Sequence, residues 1–123
     1  MISDPATIHQ HAPTRDEKAS EAVLPHILAA FPSASKVRDD LKARAQEGEA
    51  KYGTPLMTHN GRDALVDAYQ EILDAIQYLK QAQLEMRERQ GTRAAVLESR
   101  IEHQFNSAVF IAKQLQMILG DRT

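Results

Sequence analysis

Two long runs of apolar residues at helical spacing, separated by two residues, constrain this chain more than any other feature. In 61–89, Leu65, Tyr69, Ile72, Ile76, Leu79 and Met86 recur at near-heptad intervals, with Ala64, Ala68, Ala75 and Ala82 adding helix propensity and room for a neighbour. In 92–119, Leu97, Ile101, Phe105, Ala108, Ala112, Leu115 and Leu119 recur in steps of three and four. The connection Gln90-Gly91-Thr92 is tight: Gly91 can adopt positive φ past the first helix, and Thr92 can cap the second. Helices joined this way run antiparallel, so the expected fold is all-α and built on a long helical hairpin. Val109, Phe110, Ile111, Met117 and Ile118 widen the second apolar arc beyond one face. Such an excess predicts a crowded core or a subunit interface, and for helices this long in a 123-residue chain it favours a bundle completed by homo-oligomerisation.

Two shorter helices are expected upstream. Residues 1–13 hold Pro5, Pro13, His9 and His11 with little periodicity and read as a flexible arm, leaving 14–123 as a single helical domain. Thr14 and Glu17 have capping-box spacing and predict a helix start, with Val23, Leu24, Ile27, Leu28 and Phe31 on its stripe, Pro25 as a kink or stop and Pro32 as its limit. Ser33 or Ser35 can cap a second helix carrying Val37, Leu41 and Ala45, which is expected to fray near Gly48. The stretch 51–60, with Gly53 and Pro55, reads as an ordered loop, and Asn60 as the cap of the long helix with Asp63 in its first turn.

Composition narrows the function classes. Lys and Arg number 15 against 17 Asp and Glu, a net charge of -2, which lacks the basic excess of a chain that neutralises a nucleic-acid backbone. The absence of cysteine excludes disulfides, a thiolate nucleophile and a cysteine-ligated zinc site. No apolar run approaches the ~20 residues that span a bilayer, and the N-terminus lacks the basic start and apolar run of a signal peptide. The expected location is the cytoplasm, the host's if the chain is phage-encoded.

The feature with chemical potential is a row of acids, Asp63, Asp67, Glu71 and Asp74, which on one helix fall within about 80° of arc. Such a row can hold Mg²⁺, which takes oxygen ligands and bridges carboxylates to substrate phosphates. It can equally face water, opposite the apolar stripe, with Arg62 and Lys80 near enough in sequence to answer part of its charge. Tyr78 projects near the acids as a surface on which a base could stack. Lys51, Tyr52, His59, Asn60 and Arg62 bring cations, an aromatic ring and helix-start amides to one loop, a composition suited to a phosphate and equally to a loop that only positions two helices. His103 and Asn106 are polar positions in a largely apolar stretch.

The segment Glu71-Ile-Leu-Asp74-Ala-Ile-Gln-Tyr-Leu79 resembles the second half of the signature of MazG-like, all-α nucleoside triphosphate pyrophosphohydrolases, where Glu-x-x-Asp on a helix supplies magnesium ligands. That family's first half is Glu-x-x-Glu on the preceding helix; here the nearest acids are Glu47 and Glu49, two apart. The stretch 48–81 also resembles small uncharacterised proteins of bacteriophages and their hosts. The first resemblance implies a dimer or tetramer in which Glu71 and Asp74 are catalytic and bind Mg²⁺, with Glu47 or Glu49 and Asp67 completing the metal site. Water would attack a polarised phosphate to release nucleoside monophosphate and pyrophosphate. Two alternatives stay open: a non-catalytic phage protein that binds or sequesters a nucleotide immune signal, and a helical interaction or assembly protein without a small-molecule site.

Overall fold

A computed structural model describes residues 4–14 and 20–122. The described residues form four helices, α1 (Leu24–Ala30), α2 (Lys36–Tyr52), α3 (Ala64–Arg87) and α4 (Thr92–Asp121), and no β-strand. The fold is all-α, with α3 and α4 packed as a hairpin. The chain divides into two compact units, Met1–His9 with Asp63–Thr123 and Gln10–Arg62. The reading of 14–123 as one helical domain does not anticipate that division.

In the hairpin unit, the buried seam holds Val66 on α3 and Ala94, Ala108, Ala112 and Leu119 on α4; of these, Val66 and Ala94 lie outside the stripes read from spacing. Small side chains at three of those α4 positions let two helices approach closely, and Val66 and Leu119 supply about 1.5–3 kcal/mol each on burial. Gln83 is the largest fully buried side chain among the described residues, 1% exposed. Its Oε1 accepts from Lys80 Nζ at 2.7 Å, so this buried amide is not left unsatisfied, a condition that would cost about 1–3 kcal/mol.

Charge pairs join the hairpin at both ends. Arg87 Nε on α3 donates to Glu98 Oε1 on α4 at 2.8 Å near the connection. At the open end Arg122, just past α4, grips the Asp63 carboxylate with both terminal guanidinium nitrogens. The turn between the helices differs from expectation in one respect. Gly91, with φ +105°, is itself the N-cap of α4 and offers no side-chain bond, while Thr92 is the first helical residue.

Residues 4–8, read from sequence as part of a flexible arm, form a turn. The amides of Thr7 and Ile8 donate to the Asp4 carbonyl, and that of Ala6 donates to the Asp4 carboxylate. Gln70 Nε2 on α3 then donates to the carbonyls of Pro5 and Ile8, at 3.1 and 2.8 Å. A glutamine amide offers two donors, which suits it to fasten two carbonyls at once.

The other unit, Gln10–Arg62, holds α1 and α2. The helix expected from Thr14 begins instead at Leu24; of the Thr14–Glu17 capping pattern only Thr14 lies within the described residues, and its hydroxyl donates to the Asn60 carbonyl. Pro25 does not kink this helix but opens it, because a first-turn residue needs no amide partner. Ser35 caps α2 by accepting from Arg38 N–H at 3.1 Å, as one of the two expected caps.

Helix α2 does not fray at Gly48. It runs to Tyr52 and stops at Gly53, whose φ of +75° ends the helix with an N–H bond to the Glu49 carbonyl. The flanking Ala45, Glu47, Ala50 and Lys51 are good helix formers that offset a single glycine's roughly 1 kcal/mol. Following α2, residues 56–58 pair antiparallel with 21–23: Val23 N–H donates to Leu56 O, and Thr58 N–H to Glu21 O. None of the described residues of this unit is fully buried.

Candidate functional site

The acid row is split by what surrounds it. Asp63, not Asn60, is the N-cap of α3, and its Oδ1 accepts from the amides of Leu65 and Val66 at 3.2 and 3.3 Å. Its carboxylate also takes the Arg122 pair, with Nη1 to Oδ1 at 2.9 Å. The Arg122 hydrogen bonds hold Asp63 below its ordinary value of 3.8 against the opposing effect of burial, with the helix-start amides assisting. In return Asp63 raises Arg122 above its already high value. Asp63 is therefore structural, and the first amides of α3 are already occupied by its carboxylate.

Asp67, one turn on, is half-buried and engaged within the chain. Glu71 and Asp74 differ from both: each is exposed and forms no hydrogen bond or ion pair among the described residues. Tyr78, a turn beyond Asp74 on the same face, is 67% exposed. The structure thus gathers Glu71, Asp74 and Tyr78 on one open helix face.

The cations expected to answer the row are directed elsewhere. Lys80 lies 4.1 Å from the Phe105 ring centroid as well as bonding Gln83, a position that keeps its ammonium on an aromatic face. Arg62 Nη1 donates to the backbone carbonyls of Gln10 and His11. Sequence spacing signals neither the Phe105 contact nor the Arg62 bonds, because both depend on groups 25 or more residues away.

Glu47 and Glu49 stand on α2, in the Gln10–Arg62 unit, and so belong to a different unit from Asp67, Glu71 and Asp74. A two-residue step on a continuous helix turns about 200°, so the two glutamates project to opposite sides and do not share one ion. Glu47 pairs with Arg44 at 3.1 Å, and Glu49 is exposed. Among the described residues no group of three or more acids or histidines is arranged to hold a metal.

The loop candidates resolve into separate local roles. Lys51 Nζ sits 5.2 Å from the Tyr52 ring centroid, both side chains exposed at the end of α2. Asn60 Oδ1 accepts from Arg62 N–H at 3.1 Å, closing a turn in which His59 and Gly61 take positive φ, +53° and +81°. The positive φ favours glycine at 61, and a Cβ there would stand 2.7 Å from Thr14 Oγ1 and displace that hydroxyl. His59 is exposed, and His103 and Asn106 are exposed on α4.

Sequence reasoning missed an open groove on the flank of the hairpin, lined by Ile76, Leu84 and Phe105 together with Gln77, Lys80 and Glu85. Neither Glu71 nor Asp74 lines it. The signal available in sequence was Lys80 four residues from Ile76 and Leu84, which only the register of α3 against Phe105 turns into a groove.

No family model, curated protein or solved structure matches the chain. Among the described residues no helix is long and apolar enough to cross a membrane.

Proposed function

We propose that the open face of α3 handles a nucleotide, with Glu71 and Asp74 carrying Mg²⁺ against its phosphates and Tyr78 stacking on its base. The observation that carries this reading is the unanswered state of the two carboxylates beside an exposed aromatic ring, when the neighbouring acid Asp63 is fully paired. Magnesium commonly binds through one or two protein carboxylates, with waters and substrate phosphates filling the remaining positions. A Glu-x-x-Asp pair is therefore a sufficient protein share of such a site, and it is the element that resembles the MazG-like pyrophosphohydrolases. In the catalytic form, the ion would polarise a phosphate so that water attacks phosphorus, and the P–O bond to pyrophosphate breaks as nucleoside monophosphate forms. In the non-catalytic form the same groups hold the nucleotide intact.

The test is a panel of nucleoside triphosphates incubated with Mg²⁺ and followed by phosphorus NMR, alongside calorimetric titration. The hydrolase reading expects pyrophosphate release that falls by about 100-fold or more in Glu71→Ala/Asp74→Ala, because losing even an outer-shell partner of a metal ligand costs about 10–100-fold. Tight binding with intact ligand selects the sequestering form. Neither turnover nor binding, in wild type and variant alike, removes the nucleotide reading altogether.

A second reading, that of a helical assembly protein, is favoured by a different observation. Phe110, Ile111, Met117 and Ile118 are large apolar side chains left exposed on α4. A helix apolar on more than one face is one that expects a further neighbour.

A further inference from the structure

We infer that α4 is also the dimerisation element, pairing antiparallel with α4 of a second copy through the face turned away from α3. This deepens the assembly reading, on which it rests, and is independent of nucleotide handling. The buried seam of α4 uses Ala108, Ala112 and Leu119. On its other side, Arg100, His103, Ser107, Phe110, Gln114, Met117 and Asp121 follow one another in steps of three, four, three, four, three and four, the spacing that keeps a single line facing a partner helix. Ile111 and Ile118 flank that line. The apolar members are exposed to a degree at odds with their chemistry: Phe110 63%, Met117 57%, Ile118 48% and Ile111 46%.

Charge selects the occupant and its direction. Arg100 stands toward one end of the line and Asp121 at the other, and neither has an ion pair among the described residues. In a parallel pair each would meet its own kind. In an antiparallel pair set so that Phe110 packs on Ile111 of the second copy, Arg100 meets Asp121, and Ser107 meets Gln114. Two-fold symmetry then makes every one of these pairings twice. The small Ser107 and the amide of Gln114 leave room for the Phe110 rings and give the seam a polar contact that fixes its register. The overlap from 100 to 121 is about 33 Å at 1.5 Å per residue, enough for six turns of contact. The occupant is therefore another copy of this chain.

The full chain should sediment as a dimer at tens of micromolar. Phe110→Asp should convert it to monomer with its far-UV helical signal retained, because that side chain is not part of the α3 seam. Arg100→Glu and Asp121→Lys, each alone, should weaken the dimer roughly tenfold by setting two like-charge pairs against each other, and the double variant should recover wild-type affinity. Those charge variants lie on the solvent side and leave folding untouched. A wild-type monomer at that concentration overturns both this inference and the assembly reading. A dimer that Phe110→Asp leaves intact, or one that Arg100→Glu fails to weaken, overturns the α4 seam alone and leaves assembly through another surface standing.

Discussion

At the residue scale the most informative side chain is Asp63. It satisfies two orphan amides at the start of α3 and pairs with Arg122 from the end of α4, so one carboxylate joins the two ends of the hairpin. Replacing it with alanine removes the cap and the ion pair together, and urea unfolding should report a loss of about 1–2 kcal/mol, the range of a lost helix cap. Asp63→Asn keeps most of the capping and discards the charge. Because the folded-state value is depressed, the carboxylate's contribution is complete above its ordinary 3.8 and is lost as pH falls through the lower folded value. Wild type should therefore lose stability on acidification below about pH 4 more steeply than Asp63→Asn, a difference read by chemical denaturation at pH 6 and pH 3. The same comparison explains why the acid row is not uniform. Spacing placed four acids on one face, but it carried no sign that Arg122, 59 residues away, would claim the first of them.

The elements were legible where their cause is local. Periodicity located α3 and α4 to within three residues of their ends, because an apolar stripe at helical spacing has few other ways to be buried. Their boundaries moved where capping is decided by competition: Asp63 displaced Asn60 as cap, and Gly91 displaced Thr92. Two glycines separate the local causes cleanly. Gly48 lies inside α2 with open space around a hypothetical Cβ, so Gly48→Ala should raise stability by about 0.5–1 kcal/mol, seen as a higher melting temperature. Gly61 has positive φ and Thr14 Oγ1 only 2.7 Å from the Cβ position, so Gly61→Ala should destabilise by about 1–3 kcal/mol and loosen the 14–60 contact. Amide exchange at Thr14, whose N–H donates to the Asn60 carbonyl, would report that loosening directly. Pro25 opens α1 instead of breaking it, because its missing amide suits a first turn.

For the whole molecule, the shortage of fully buried side chains sets the expectation. Two packed helices cannot enclose a core, and the Gln10–Arg62 unit adds no fully buried residue of its own among those described. Stability that depends on a second copy is concentration-dependent, so the melting temperature should rise as protein concentration is increased over two decades, and stay constant in Phe110→Asp. Of the candidate site, the sequence identified Glu71, Asp74 and Tyr78 as neighbours, since residues three and four apart on a helix must share a face. It also offered Glu47 or Glu49 as a further ligand; the two stand on opposite sides of α2, which lies in the other unit. What the amino-acid order determined alone is the all-α class, the hairpin and the composition of its faces, because these follow from propensity and from a periodicity that any helix must express. Which carboxylates are paired and which stay open, where Lys80 and Arg62 send their charge, and which apolar side chains lack a neighbour were decided only by tertiary structure. Those outcomes depend on residues far apart in sequence meeting at a few ångströms, where the partner available in space outweighs the nearest one along the chain.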